Sequence, residues 1–321
     1  TATITVTPSA NGCTGTPKTF TITVNPRPDA DQPANQVLCA NSTTTAIIFT
    51  GSVPGTIYNW TNNDISIGLT ASGSGNIAPF TAINATGAPV MASIIVRPTL
   101  NGCPGSTKIF AIIVNPIPDI VQPDNQELCT GSSTRAIHFT GPISGTNFSW
   151  TNSNTSIGLA SSGSGDIASF TAVNNTTLPV TATITVTTSY TNGGVTCSGP
   201  AITFTITVNP LPNIVFSNAP PRMCITDTIA VLVASPAGGV WSGTGVVGNT
   251  FNPAVAGLGV TRVTYTVTNG FGCTTSRFEN VVVHDCKERH NIFQEAIRIW
   301  PNPNNGRFSL QFNSDKYKEF K

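Results

Sequence analysis

The sequence predicts an all-β chain folded as a linear array of β-sandwich domains, with one disulfide in each domain. Three observations support this prediction. Segments such as 20–24 alternate apolar and polar residues with the period of two that a half-buried strand requires. A unit of about 90 residues recurs along the chain. Cysteines recur at the same places in each unit, as expected of a disulfide framework.

The composition excludes several classes of function. Charged residues make up 9% of the 321 residues, whereas an ordinary soluble domain has about 25%. The net charge of +1 gives no long-range field, so we expect no nucleic acid among the partners and no binding to anionic lipid. No run of 18 apolar residues is present, which argues against membrane insertion. The N-terminus lacks a signal-peptide pattern, so the signal of an exported protein would already have been removed.

The repeat is clearest when the chain is shifted by 90 residues against itself. Between residues 28 and 96, 40 of 69 positions are identical to those 90 residues further on. The third copy carries a four-residue insertion before Cys197, in the turn that its siblings make with Asn-Gly-Cys. Insertions of this kind are typical of loop tips.

Each complete copy is predicted to contain seven strands, which is the strand number of an immunoglobulin-like sandwich. In the first complete copy we expect them at residues 36–39, 45–50, 56–61, 65–69, 77–82, 90–96 and 107–114. Trp60 and Trp150 lie in the middle of a predicted strand, and Trp241 occupies a similar place in the divergent last copy. We interpret all three rings as core residues, because a large ring in such a position usually fills the space between two sheets.

The predicted domains follow from the repeat and from the linkers. Copies end at residues 20–28, 110–118 and 204–212 in Val-Asn-Pro-x-Pro, which we interpret as a short, stiff linker because proline cannot continue a ladder. Charged residues become frequent after residue 285. The expected domains are 1–28, the C-terminal half of a repeat or a donated hairpin; 29–118 and 119–212, two complete repeats; 213–285, a divergent repeat; and 286–321, a linker and tail.

Six cysteines bracket the three larger units, one near the first strand and one before the last strand of each. The predicted pairs are Cys39 with Cys103, Cys129 with Cys197, and Cys224 with Cys273. Such a framework indicates an oxidising, extracytoplasmic compartment. No Cys-x-x-Cys pair supports a zinc site, and we expect no metal and no cofactor.

Cys13 and Cys286 remain without a partner in this scheme. Cys13 occupies the second-cysteine position of a unit whose first half is outside the sequence. Either an upstream segment carries its partner, or residues 1–28 form a hairpin that completes the sandwich of another molecule, in which case Cys13 could meet Cys286.

The repeats resemble the PKD-like, immunoglobulin-like repeats of large cell-surface proteins of Bacteroidetes-type bacteria. The resemblance is carried by the Trp60 and Trp150 strands, the Gly-Ser-Gly segment, the Asn-Gly-Cys turn and the closing Val-Asn-Pro-x-Pro. It covers residues 1–212 well and residues 213–285 loosely. It implies an extracellular, surface-exposed array of domains.

The tail is similar to the start of the C-terminal sorting domain of the type IX secretion system. That family opens with an aromatic residue, Pro-Asn-Pro, a turn glycine and a first strand, and the matching positions here are Trp300, Pro301, Asn302, Pro303 and Gly306. The family domain is longer, so only its beginning is matched. The resemblance implies the type IX secretion machinery as a partner of the tail.

Candidate catalytic residues are few. The three histidines are His138, His284 and His290, and His138 is replaced by Ile48 in the sibling repeat, so we expect no catalytic site. Among the acidic residues at the linkers, Asp31 is replaced by Val121 and Asp124 corresponds to Ala34, which argues against a calcium site. The segment Asp227-Thr228-Ile229 resembles the acceptor motif for O-glycans in the same bacteria, which makes Thr228 a candidate for modification.

These observations favour a non-enzymatic structural protein, a stalk or filament segment of a secreted or cell-surface protein. The expected partners are neighbouring copies or upstream domains of the same protein. Two alternatives remain at this stage. One is an adhesin or carbohydrate-binding module, which needs exposed aromatic side chains. The other is an accessory region of a secreted enzyme whose catalytic domain lies upstream.

Overall fold

A computed structural model of the chain describes residues 1–286, 297–300 and 309–312. It confirms the predicted fold class, since the described residues form a tandem array of immunoglobulin-like β-sandwiches. The array begins with a unit that we call the N-terminal hairpin, residues 1–24. Its strands are β1 (Ala2–Val6), β2 (Ser9–Ala10), β3 (Cys13–Thr14) and β4 (Lys18–Ile22). β1 pairs antiparallel with β4, with Ile4 opposite Phe20.

The first sandwich spans residues 36–115. Its elements are β5 (Gln36–Cys39), β6 (Ile57–Asn62), a 3-10 helix (Ile65–Ile67), β7 (Ser72–Ser74), β8 (Val90–Leu100), β9 (Cys103–Pro104) and β10 (Lys108–Asn115). The main sheet has the order β5-β10-β8-β6-β7, with β9 paired to β8. β5 runs parallel to β10, and Cys39 lies opposite Asn115 at the last position of the pair. The first strand therefore ends beside the point where the chain leaves the sandwich.

The second sandwich, residues 126–209, repeats this arrangement. Its elements are β11 (Gln126–Cys129), β12 (Asn147–Asn152), a 3-10 helix (Thr155–Ile157), β13 (Ser162–Ser164), β14 (Val180–Asn192), β15 (Val195–Ser198) and β16 (Ile202–Asn209). The sheet order is β11-β16-β14-β12-β13. β14 and β15 are longer than β8 and β9 because the four-residue insertion extends the hairpin by further ladder pairs up to Asn192 and Val195.

The opposite layer of each sandwich contains less regular structure than the sequence predicts. The expected strands at 45–50 and 77–82 are extended segments joined by single bridges, Thr43 to Thr81 and Ile47 to Ile77. Side chains bond to the backbone in place of a continuous ladder. Asn76, for example, accepts the N–H of Phe49 at 2.9 Å.

The strand expected at 65–69 is wrong, because residues 65–67 form a 3-10 turn. The Asp64 carboxylate caps the turn by accepting the N–H of Ser66 at 2.9 Å, and Gly68 ends it with φ of 94°. Asn154 caps the equivalent turn of the second sandwich.

The core lies between the two layers of each sandwich. Period-two alternation places Phe110, Ile112 and Val114 of β10 inside, where 2% or less of each is exposed. Burial of such side chains contributes about 1.5–3 kcal/mol each. Other members of the first core are Ile47, Phe49, Trp60, Ile67, Ile77, Ile94 and Val96.

The third sandwich, residues 215–284, is smaller and irregular. Its elements are β17 (Val215–Asn218), β18 (Arg222–Cys224), β19 (Ala230–Val231), β20 (Val233–Ser235), β21 (Val240–Ser242), β22 (Val246–Val247), β23 (Thr250–Phe251), the helix α1 (Pro253–Ala256), β24 (Gly259–Thr268) and β25 (Thr274–His284). Its main sheet has the order β18-β25-β24-β21, and β18, the strand that carries Cys224, runs parallel to the last strand, β25. Two further strands, β26 (Ile297–Trp300) and β27 (Ser309–Phe312), form an antiparallel pair in the tail. Among the described residues no helix has the length and apolarity needed to cross a bilayer.

Candidate functional site: the disulfide-bonded junctions

The first junction joins the first and second sandwiches through a disulfide between Cys39 and Cys197. Cys39 is the last residue of β5, and Cys197 lies in β15 at the tip of the second sandwich. The Cα atoms are 5.6 Å apart, a typical distance for a disulfide. Cys197 is 1% exposed, so the bond is closed off from solvent on the side of the second sandwich.

The second junction uses the same positions one unit later. Cys129, the last residue of β11, bonds to Cys273 in the turn between β24 and β25, again with 5.6 Å between Cα atoms. Cys273 is fully buried. In both junctions the first-strand cysteine of one sandwich is bonded to the second cysteine of the next sandwich.

The predicted pairs within single sandwiches are therefore wrong, and β10 supplies the reason. Cys39 lies opposite Asn115 at the end of this strand, whereas Cys103 precedes its beginning at Lys108. Eight strand residues span about 26 Å, far beyond the roughly 7 Å that a disulfide allows between Cα atoms. The two cysteines of one sandwich lie at its opposite ends, and each faces a neighbouring unit.

The prediction that Cys224 pairs with Cys273 and that Cys286 has no partner in its own domain also needs correction. Cys224 bonds to Cys286, which follows the last strand of the same sandwich. The parallel pairing places Cys224 opposite His284, two residues before Cys286. Within residues 1–286, Cys13 and Cys103 are outside the disulfides, and Cys103 had been expected to pair.

A buried amide pair reinforces the first junction. Asn115 is fully buried, and its Nδ2 donates to the carbonyl oxygen of Asn192 at 3.0 Å. In a second hydrogen bond, Nδ2 of Asn192 donates to Oδ1 of Asn115 at 2.9 Å. Asn192 lies in the hairpin of the second sandwich, so both bonds cross the junction. The asparagine of the Asn-Pro-x-Pro segment thus has a specific role that the prediction of a stiff linker did not include.

The hairpin of the second sandwich also packs closely on β5. A methyl group added at Gly193 would lie 3.0 Å from Cγ1 of Val37, and this glycine has φ of 58°. At the second junction Asn269 donates from Nδ2 to the carbonyl oxygen of Pro210 at 2.8 Å. The hairpin tips therefore meet the preceding sandwich through backbone and amide contacts as well as through sulfur.

The linkers are held by a close approach that only glycine permits. A Cβ at Gly199 would lie 1.9 Å from the carbonyl oxygen of Pro118, and one at Gly105 would lie 2.0 Å from that of Pro28. Arg27 donates to the hydroxyl of Ser106 at 3.2 Å. The junction between the N-terminal hairpin and the first sandwich thus has the same linker packing as the junction between the first and second sandwiches.

Among residues 1–286, three carboxylates have a pKa below the ordinary value, and each has a structural cause. Bonds from the backbone and hydroxyl of Ser52 lower the pKa of Asp29, and bonds from Ser66 lower that of Asp64. The N–H of Phe139 and then His138 lower the pKa of Asp166. Each of these carboxylates caps a turn or connects two strands, so its negative charge helps to hold the fold together.

His138 and Asp166 form the one His–carboxylate contact among the described residues, with Nδ1 and Oδ2 2.7 Å apart. Both side chains are largely exposed. The sibling positions carry Ile48 and Asn76, and Asn76 makes the same backbone contact as Asp166. The part of the chain that the structure describes contains no group of three or more potential metal ligands.

The remaining candidate residues are distributed as follows. Trp60, Trp150 and Trp241 are each 7% exposed and lie in the three cores. Thr228 lies in an exposed loop after β18. Trp300 ends β26. The other sorting-motif positions lie outside the described residues: Pro301, Asn302, Pro303 and Gly306.

No family model matches the chain, and no curated protein matches it. Solved structures with tandem domains do. A three-domain segment of titin, I67–I69 in an E-to-A variant, is 11% identical and aligns over 80% of this chain and 98% of its own, with a TM-score of 0.42. Mouse cadherin-23 EC22–24 is 12% identical over 81% and 100% of the two chains, with a TM-score of 0.38. The insect immune protein hemolin is 13% identical over 80% and 77%, with a TM-score of 0.27. The fold assignment itself rests on the strand order described above.

Proposed function

We propose that this chain is a segment of a non-enzymatic, extracellular stalk or filament whose domains are covalently joined to their neighbours. The observation that carries the proposal is the recurrence of the same disulfide at two successive junctions, Cys39 to Cys197 and Cys129 to Cys273. A bond of this kind fixes the orientation of neighbouring sandwiches. An independent folding unit does not need it.

The energetics favour a role at the junctions. The Cys39–Cys197 bond closes a loop with a sequence separation of 158 residues. In the chain-entropy model such a closure stabilises the folded pair by about 5 kcal/mol. The bond acts only when both sandwiches are folded and docked, so it couples their stability. A protein that must keep a fixed length under load gains from such coupling.

The compartment and the partners follow from the same features. Disulfides persist in oxidising compartments, which supports a location outside the cytoplasm. The resemblance of the tail to type IX sorting domains supports export by that machinery and display at the cell surface. Neighbouring copies or upstream domains of the same protein are the proposed partners. Labelling of intact cells with an antibody against the first sandwich would test the location, and labelling only after lysis would contradict it.

A carbohydrate-binding or adhesive role has less support from the described residues. Such a role calls for exposed aromatic platforms, and the tryptophans of the three sandwiches are buried in cores. Phe271 and Phe278 are about half exposed in the third sandwich, and the guanidinium of Arg262 lies over the Phe278 ring at 3.5 Å. This cation–π contact occupies one face of that ring.

The stalk function is tested by the shape of the chain in solution. We expect small-angle scattering and electron microscopy to show a rod of constant length for the oxidised protein. Reduction should broaden the distribution of lengths, because the junctions then depend on hydrogen bonds and packing alone. A matched variant, Cys39→Ser with Cys197→Ser, should become flexible at the first junction only. An oxidised chain as flexible as the reduced one would refute the proposed function.

A further inference from the structure

Cys103 occupies the position at which the two later sandwiches carry a bonded cysteine. It pairs with Leu100 across β8 and β9, as Cys197 pairs with Tyr190 across β14 and β15. Cys197 and Cys273 are buried and bonded to the first-strand cysteine of the preceding sandwich. Cys103 is a half-buried thiol at the same structural position.

The N-terminal hairpin has an uncovered apolar face beside this thiol. Phe20 is 52% exposed, whereas its equivalents Phe110 and Phe204 are 2% exposed. Ile4, Val6 and Ile22 on the same hairpin are also exposed, although the equivalent side chains of both complete sandwiches are fully buried. In those sandwiches the face is covered by the first half of the repeat, residues 36–82 or 126–172.

The Cys103 thiol and the uncovered apolar face both belong to the junction between the N-terminal hairpin and the first sandwich. Gly105 packs on Pro28 as Gly199 packs on Pro118, so the tip that carries Cys103 lies against the linker that follows the N-terminal hairpin. In the complete sandwiches the first-strand cysteine lies opposite the asparagine of Val-Asn-Pro, namely Asn115 or Asn209. Asn25, directly after the N-terminal hairpin, is the equivalent asparagine. A first strand added parallel to β4 would therefore bring its cysteine to Cys103.

We propose that Cys103 forms a disulfide with the first-strand cysteine of a half-sandwich that covers the apolar face of the N-terminal hairpin. We assign this half-sandwich to a segment preceding Thr1 in the same polypeptide. Its sequence should resemble residues 29–90, with a first strand of the form Gln-x-Leu-Cys, as in β5 and β11. Cys13 has the same role one unit earlier, so Cys13 and Cys103 do not bond to each other. The proposal rests on the geometry of the junctions and is independent of the stalk function.

The bond forms by thiol–disulfide exchange with a disulfide oxidant, such as oxidised glutathione or an oxidoreductase with a disulfide. One thiolate attacks the oxidant to give a mixed disulfide, and the second thiolate displaces the reduced oxidant thiol. The two cysteines lose two protons and two electrons, and the oxidant disulfide is reduced to two thiols.

The test extends the full chain by a copy of residues 29–90 placed directly before Thr1, which restores the order of a complete repeat. The extended protein is folded with a glutathione redox buffer, free thiols are alkylated, and disulfide-linked peptides are identified by mass spectrometry without reduction. We expect Cys103 to be bonded to the added cysteine. We also expect amide hydrogen exchange in residues 20–24 to slow at least tenfold relative to the chain without the extension.

Two controls make the result decisive. The Cys39–Cys197 bond in the same sample reports that the array has folded, and a second extension with serine in place of the added cysteine should protect residues 20–24 while leaving Cys103 open to alkylation. Cys103 that stays alkylatable beside an intact Cys39–Cys197 bond would overturn the proposal. So would a bond between Cys103 and Cys13, or unchanged exchange in residues 20–24.

Discussion

Reduction of the disulfides should greatly increase the length to which the chain can be stretched, and the structure gives the magnitude. Under tension the shortest covalent path runs from Cys39 directly to Cys197, continues to Cys224 and passes directly to Cys286. Each bond keeps the residues between its two cysteines from being stretched. The two sequence separations are 158 and 62 residues, together 220. At about 3.5 Å per residue, the reduced and fully unfolded chain is roughly 770 Å longer than the oxidised chain.

Optical tweezers with handles at Thr1 and Lys321 can measure this difference with and without a phosphine reductant. The matched variant is Cys39→Ser with Cys197→Ser. Its shortest path uses the Cys129–Cys273 bond, which excludes 144 residues, or 76 fewer than the 220 of the parent chain. The oxidised variant should therefore extend roughly 270 Å further than the oxidised parent.

The measurement also distinguishes the observed connectivity from bonds within each sandwich. Pairing of Cys39 with Cys103, Cys129 with Cys197, and Cys224 with Cys273 would exclude 64, 68 and 49 residues, together 181. The reduced chain would then gain roughly 140 Å less than we expect. A gain that matches 181 residues, or an oxidised variant no longer than its parent, would refute the junction disulfides.

Three further predictions concern stability. Gly73→Ala should lower the free energy of unfolding of the first sandwich by about 1–3 kcal/mol in denaturant unfolding, because the new methyl group would lie 2.1 Å from Cζ2 of Trp60. Gly270→Ala places its methyl group in open space and should leave the stability unchanged. Equal effects of the two substitutions would contradict the packing of Gly73 on Trp60. Asn115→Ala should remove both side-chain hydrogen bonds across the first junction and speed hydrogen exchange there. The stability of the isolated cores should not fall. An unchanged exchange rate would argue against the amide pair. Because the pKa of Asp64 is lowered, its charged form stabilises the fold above the unfolded value of 3.8, and this contribution is lost as pH falls through the lower folded pKa. Asp64→Asn introduces the residue found in the second sandwich and should make stability depend less on pH in the acid range. A shift in stability by the same amount at all pH values would contradict this.

Period-two alternation and the repeat were sufficient to predict β5, β6, β8 and β10 in the main sheet of the first sandwich, whereas β7 and β9 were not predicted. In β10 the apolar residues Phe110, Ile112 and Val114 all point inward, because one face of the sheet is buried and the other is wet. The opposite layer was predicted less well. Its backbone is satisfied by Thr and Asn side chains, such as Thr44, which accepts the N–H of Phe80 at 3.0 Å. Residues 46–50 still alternate between exposed and buried positions, so the pattern predicted a strand where local side-chain bonds replace the ladder.

The disulfide connectivity could not be predicted from cysteine spacing. Spacing showed that Cys39 and Cys103 belong to one unit, but the distance between them depends on the parallel register of β5 on β10. A parallel first strand ends where the last strand ends, and that end faces the next unit. The signal was present in the four-residue insertion before Cys197, which lengthens the hairpin that reaches back to β5.

This register has a consequence for how the array grows. The second sandwich carries one cysteine at the end where the chain leaves and one at the opposite end, so it bonds to the unit before it through Cys197 and to the unit after it through Cys129. Such a head-to-tail contact uses two different surfaces and does not close on itself. The same geometry therefore allows a further copy of the repeat to be joined in the same way. A disulfide within each sandwich would have stabilised the single domains but would have left the junctions dependent on the Asn-Pro-x-Pro linker, hydrogen bonds and packing.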